Sequence, residues 1–164
     1  MKVGNMILEV KNLRAYYVLD TGYVRAVDGV SLGIKERSVV GIVGESGCGK
    51  TTLAKVLSLD ITPPLRIMSG QIVIDGEDVL SLPIEEARRK FVGVKVSLVP
   101  QSAMNALVPV VKIKNLLTDI IEEKAGISRE EVIELARKRF EELGLPVDSL
   151  DRYPFELSGG MRQR

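Results

Sequence analysis

Apolar residues change their period along this chain, and the changes mark out its elements. Ile7, Leu8 and Val10 stand among polar residues from Met6 to Leu13, which predicts a strand. Arg14-Ala15-Tyr16-Tyr17 follows, then a turn at Leu19-Asp20-Thr21-Gly22. Val24 to Ile34 returns as a second strand, interrupted at Asp28-Gly29. The apolar, β-branched run Val39-Val40-Gly41-Ile42-Val43 predicts a further strand, and Thr52-Leu53-Ala54-Lys55-Val56-Leu57 predicts a helix. Thr62-Pro63-Pro64 breaks the chain, and Gly70-Gln71-Ile72-Val73-Ile74-Asp75-Gly76 reads as a strand running into a turn. Pro83 opens a short charged helix through about Lys90, and Val94 to Val99 is another apolar strand stopped by Pro100-Gln101.

Beyond Pro109 the period becomes helical. Leu116, Leu117, Ile120 and Ile121 share a face, and Ser128-Arg129-Glu130-Glu131 has the form of a capping box. The helix it opens carries Val132, Ile133, Ala136, Phe140 and Leu143 at helical spacing and ends at Gly144 and Pro146. These stripes read as packing surfaces. The expected organisation is a β-layer plus an α/β core over 1–102, a helical subdomain over 103–157, and a last motif at 158–164.

Composition narrows the function classes. The 164 residues suit one domain, or part of a larger one. A net charge of +1, with no long basic run, supplies no footprint for a nucleic-acid partner. One cysteine excludes an intrachain disulfide among these residues, which fits a reducing compartment. No segment approaches the roughly 18–20 apolar residues that span a bilayer, so a membrane role needs other subunits to cross it. The absence of histidine excludes imidazole chemistry within these residues.

The chemistry concentrates at Gly44-Glu45-Ser46-Gly47-Cys48-Gly49-Lys50-Thr51, set between a predicted strand and a predicted helix. Glycines let successive amides turn inward without a Cβ, and a helix N-terminus aims unpaired N–H groups at the same spot. Lys50 then reaches the β- and γ-phosphates, and the Thr51 hydroxyl is suited to one position on Mg²⁺. These features predict binding of a nucleoside triphosphate by residues 44–52, Thr52 included. Cys48 reads as a small residue tolerated in the loop rather than a redox group.

A second motif, Leu157-Ser158-Gly159-Gly160-Met161-Arg162-Gln163-Arg164, resembles the signature sequence of ATP-binding cassette (ABC) ATPases. Pro100-Gln101 looks like their Q-loop, whose glutamine connects Mg²⁺ to membrane subunits. Tyr17 matches the aromatic position that stacks on adenine, with Tyr16 and Tyr23 as competitors. Within the superfamily, Ala26-Val27-Asp28-Gly29-Val30-Ser31, Val99-Pro100-Gln101 with Met104-Asn105-Ala106-Leu107, and Pro154-Phe155-Glu156 before the signature look like the oligopeptide/dipeptide permease ATP-binding subunits. Two departures stand out. Thr51-Thr52 replaces a commoner serine-containing pair, and Val108 stands where asparagine often precedes Pro109.

The resemblance implies a P-loop NTPase fold of the ABC type: an antiparallel β-layer, a partial parallel-sheet core and a helical subdomain. It implies ATP and Mg²⁺ as cofactors, with Thr51 and Gln101 toward the metal. It also implies a head-to-tail partner ATPase subunit whose ATP meets Ser158, Gly159, Gly160 and Gln163 of this chain. Two transmembrane permease subunits and a separate solute-binding protein complete the expected importer, at the cytoplasmic face of the cell membrane. The family's Mg²⁺-binding aspartate, catalytic glutamate and switch histidine follow the signature, so no catalytic residue is expected within these residues and turnover is not expected of them alone. Strands carrying those groups would lie between the phosphate-loop strand and the Q-loop strand. The expectation is therefore exposed apolar faces and an oligomeric, swapped or poorly packed sheet. A non-transport ABC protein, a nickel or oligosaccharide importer of the same branch, and a small nucleotide kinase are the competing readings.

Overall fold

Alternation along β1 (Met6–Leu19) and β2 (Gly22–Lys35) produces an antiparallel hairpin in the computed structural model of the chain. The structure describes residues 6–101 and 106–164, and these divide into two units between Leu98 and Val99. In the first unit β3 (Leu65–Ile74) pairs with the other side of β1, and the short β4 (Glu77–Asp78) pairs with β3. The order is β2-β1-β3-β4, antiparallel throughout. Both hairpin strands run longer than their hydrophobic pattern predicts. Tyr17 pairs with Val24 on one side and Leu65 on the other, so Arg14-Ala15-Tyr16-Tyr17 lies inside β1. Hydrogen bonds from two neighbours hold a stretch whose composition alone reads as a connection.

One face of this sheet is the core of the first unit. Val10, Leu13 and Ala15 from β1, Val27 from β2, and Leu65, Ile72 and Ile74 from β3 are all buried. Burying each Val, Leu or Ile side chain is worth roughly 1.5–3 kcal/mol. The inward residues Val10 and Leu13 are three apart because the register shifts between them. Asn12 takes φ +46 there, and its N–H donates to Ser31 Oγ at 2.8 Å. Gly70 crosses the same irregularity at φ +110; a Cβ on it would lie 2.5 Å from Leu13 Cα.

Two helices cover the buried face. Helix α1 (Lys50–Leu57) contributes Leu53 and Val56, and α2 (Ile84–Phe91) contributes Ala87 and Phe91. Arg88 of α2 ties the two together beyond the end of α1. Its guanidinium donates to Leu59 O at 2.9 Å and to Ile61 O at 2.7 Å, while Glu85 takes another of its N–H groups at 3.0 Å. A cation suits that position, where carbonyls face outward with no helical partner.

The runs predicted as parallel strands are not strands. Among the described residues, Val39 to Val43 pairs with no strand, and Val94 to Val99 is represented only by an isolated parallel bridge, Val92 to Val96. Val39 and Val43 are 101% and 94% exposed, and Val99 is 81% exposed. An extended run satisfies its N–H and C=O groups through paired neighbours, and none of the described strands pairs with these two.

The second unit is helical: α3 (Ile113–Ala125), α4 (Arg129–Glu142) and α5 (Gly159–Gln163), with two short 3-10 turns between α4 and α5. The capping box forms as the sequence predicts. Glu131 N donates to Ser128 Oγ at 3.3 Å, and Ser128 N donates to Glu131 Oε2 at 2.9 Å. Hydrogen bonding from Ser128, its backbone N–H first and its side chain second, holds the Glu131 carboxyl below its ordinary pKa. Ile113, Leu150 and Leu157 are buried at the centre, with Leu116, Leu117, Ala136 and Phe140 packed on them. Ile120 departs from the predicted stripe and is exposed. Met104 and Asn105, used in the permease resemblance, lie outside the described residues.

The crowding around Gly70 generates a stability test. Gly70→Ala is expected to destabilise the first unit by about 2–4 kcal/mol, combining left-handed strain with overlap on the β1 backbone. Gly76→Ala, at φ +81 with nothing within 4 Å, is expected to cost only about 1 kcal/mol. Urea denaturation followed by circular dichroism checks the pair, and equal costs would overturn the crowding account.

Candidate functional site

The glycine-rich loop leads into α1, whose N-cap is Gly49 at φ +95. Leu53 N donates to Gly49 O at 2.8 Å, which starts the helical ladder, and no side chain caps this end. First-turn amides without a side-chain cap leave partial positive charge facing outward, a setting suited to an anion. Gly49 is also the point where the loop meets the sheet. A Cβ there would stand 2.1 Å from Ala26 O of β2, so no other residue fits without moving backbone. Gly47, at φ +81 with open space around it, makes the preceding bend.

Lys50 folds back over the loop. Its Nζ donates to Gly44 O at 2.8 Å and to Glu45 O at 2.6 Å, and it lies 3.5 Å from Cys48 Sγ. Cys48 N donates to Glu45 O at 3.3 Å, which closes the turn beneath the ammonium group. One cation therefore spans the loop from its first residues to the first turn of α1. Its three donors can be shared between carbonyls and an arriving oxyanion.

Tyr17, Gly47, Cys48, Gly49, Lys50, Thr51 and Thr52 line one cleft of about 360 Å³, completed by Val24, Arg25 and Ala26. Tyr17 reaches it because β1 alternates: Ala15 and Tyr17 share the inner side, and the Tyr17 hydroxyl lies 3.1 Å from Thr52 Oγ1. Tyr16 points the other way. Its hydroxyl donates to Asp28 Oδ1 at 2.7 Å, where Arg14 Nε also donates at 3.1 Å, and the Arg25 guanidinium sits 5.9 Å from its ring centroid. The Tyr16 hydrogen bond, reinforced by Arg14, holds the Asp28 carboxyl below its ordinary pKa, and the same bond raises the Tyr16 phenol. Tyr23 is exposed at 6.5 Å from Tyr16. Of the three aromatic candidates, Tyr17 alone lines the cleft.

Among the described residues no aspartate or glutamate lines the cleft, and no cluster of acidic, cysteine or histidine side chains suits a metal ion. Thr51 is exposed at the mouth, so the donor set fits a cation that arrives already bound to phosphate oxygens. Gln101 occupies a turn of the second unit and is exposed. Val24, Arg25 and Ala26 were not legible as site residues. Val24 follows from register, since it stands opposite Tyr17; Ala26 falls at the register shift, and Arg25, opposite Tyr16, reaches the rim of the cleft as well.

In the second unit Ser158 caps α5, its Oγ accepting from Met161 N at 3.3 Å. Leu157 and Met161 anchor the segment in the core, and Arg164 donates to Leu143 O at 3.0 Å and Gly144 O at 3.3 Å beyond α4. Ser158, Gly159, Gly160 and Gln163 remain exposed. Among the described residues nothing lies within 4 Å of a Cβ built on either glycine, and neither has positive φ.

These features define a P-loop nucleotide-binding cassette. The ABC transporter family profile matches residues 27–164, and the chain belongs to that family. It is 39% identical over 163 residues to a dipeptide transport ATP-binding protein, DppD, of Caldanaerobacter subterraneus, covering 98% of this chain and 49% of the relative. It is 39% identical over 161 residues to a probable D,D-dipeptide transport ATP-binding protein, DdpD, of Escherichia coli, covering 96% and 49%. A putative peptide import ATP-binding protein of Brucella ovis is 35% identical over 158 residues, covering 96% and 48%. The chain thus spans about half the length of the curated relatives it matches. Among solved structures it resembles the ATP-binding cassette MJ0796, in a dimeric post-hydrolysis state bound to ADP and Pi, with TM-score 0.75 and 27% identity. That match covers 95% of this chain and 65% of the other.

The contact between loop and sheet can be tested at Gly49. Gly49→Ala is expected to cost about 3–5 kcal/mol, from backbone overlap plus left-handed strain, and to abolish nucleotide binding. Thermal unfolding and an ATP titration check it; a wild-type melting curve would show that β2 does not constrain the loop.

Proposed function

We propose that these residues form the ATP-binding part of an ABC importer ATPase that energises peptide uptake. The observation that carries this is the cleft itself, where an aromatic ring, a loop-spanning ammonium group and an uncapped helix N-terminus share one space. The triphosphate would lie along the loop, held by amides and Lys50, with the base against Tyr17. Mg²⁺ would come with the phosphates, Thr51 being the loop residue suited to it, and would neutralise phosphate charge.

Ser158, Gly159, Gly160 and Gln163 would serve a nucleotide held by a second cassette. Neither left-handed backbone nor crowding within the described residues accounts for glycine at 159 and 160. A bare, exposed backbone ahead of a capped turn suits close approach by a phosphate from outside, and the dimeric state of the similar cassette supports that arrangement. ATP held between two such surfaces draws two subunits together, each charged hydrogen bond contributing on the order of 1.5–3 kcal/mol. No hydrolytic step is proposed for these residues. Peptide cargo is supported by the named relatives, and no helix among the described residues is long and apolar enough to cross a membrane. Two permease subunits would carry the solute, a separate binding protein would deliver it, and this chain would sit at the cytoplasmic face.

Two measurements test the reading. Lys50→Ala is expected to weaken ATP binding by tenfold or more, as removal of a charged donor implies, with little change in folding. An unchanged titration would reject the site. ATP is also expected to protect the exposed Cys48 from alkylation, because its thiol lies in the loop that receives phosphate. Equal labelling rates with and without nucleotide would remove that support.

A further inference from the structure

The two threonines that open α1 do different things, although the loop pattern treats them as a pair. Successive helical residues point about 100° apart, so the two hydroxyls face different directions. Thr51 is exposed. Thr52 is only 7% exposed, and its Oγ1 lies 3.1 Å from the hydroxyl of Tyr17, 35 residues earlier in the chain. Tyr17 packs against the core of the first unit while it lines the cleft. Its ring is therefore held along its body by apolar contacts and at its tip by α1.

We infer that Thr52 is a positioning residue for nucleotide: its hydroxyl braces the Tyr17 ring against α1, linking the base platform to the phosphate loop. The inference rests on the reading of the cleft given above and assigns one of its residues a role other than phosphate contact. With the brace in place, the separation between ring and loop is set before nucleotide arrives. The ordering of the ring is then not required during binding, which favours ligands carrying both a base and a phosphate chain. A free Tyr17 ring would still stack, but from a broader set of orientations. The brace matters only to a ligand that touches both ends.

That last property supplies the test. Calorimetric titrations of the full 164-residue chain would use ATP and inorganic tripolyphosphate, which has the phosphates without the base. Thr52→Val and Tyr17→Phe each remove the bond at nearly constant shape. Each is expected to weaken ATP binding roughly two- to tenfold, the range for one neutral hydrogen bond, and to leave tripolyphosphate unchanged. The double variant is expected to be no weaker than either single one, because both delete the same interaction. Thr52→Ser restores a hydroxyl and is expected to recover most of the ATP affinity. Circular dichroism melts identify any variant that fails to fold, and the serine variant then carries the comparison. Equal weakening of ATP and tripolyphosphate by Thr52→Val would make Thr52 a phosphate contact and overturn the brace. Additive losses in the double variant, or no loss in either single one, would overturn it as well. Lys50→Ala separates the two levels: if it abolishes binding of both ligands while the brace variants do nothing, the cleft stands and the brace falls.

Discussion

Backbone meets backbone where Gly49 approaches Ala26 O, and the placement of the loop follows from that approach. A side chain at 49 would displace β2 or lift α1 off the sheet. With glycine there, Leu53 and Val56 sink into the apolar face shared with Val10, Leu13 and Ala15, and the first turn of α1 comes to rest beside Tyr17. Hydrophobic burial supplies the driving force but little direction. The close approach supplies the direction, and it sets where the uncapped helix end points.

The antiparallel layer also explains why one tyrosine of three reaches the cleft. Side chains alternate along β1, so neighbours Tyr16 and Tyr17 are committed to opposite faces. Tyr16 is absorbed into a polar cluster with Arg14, Arg25 and Asp28 that ties β1 to β2 on the outer face. Exposed ion pairs of this kind add little stability, but they hold the Tyr16 phenol on that outer face. Tyr17 is left facing α1.

The second unit shows the same division between anchoring and display. Buried Leu157 and partly buried Met161 anchor the signature segment, and Arg164 fastens its far end to the carbonyls of Leu143 and Gly144. Between these anchors Ser158 satisfies the Met161 amide, and two glycines present bare backbone outward. Among the described residues nothing packs against these two glycines.

Local chemistry was legible in the sequence. The glycine spacing with Lys50 and Thr51, the capping box at Ser128 and Glu131, and the serine–glycine pair at 158–160 each act over a few residues, so their residue types nearly determine their geometry. What depends on distant neighbours was not. Val39 to Val43 has the composition of a strand and is not one here, because strand structure is a relation to adjacent chain and not a property of the run itself. Arg14 to Tyr17 lacks an obvious strand pattern and is one, because β2 and β3 pair on either side. The choice of Tyr17 over Tyr16, the arrival of Val24 opposite it, and the bond from Thr52 to Tyr17 were likewise decided by how distant segments pair and pack. Residue type determines which chemistry is possible at a position. Only the tertiary structure decides which groups come within a few ångströms, since that depends on contacts between residues far apart in the chain.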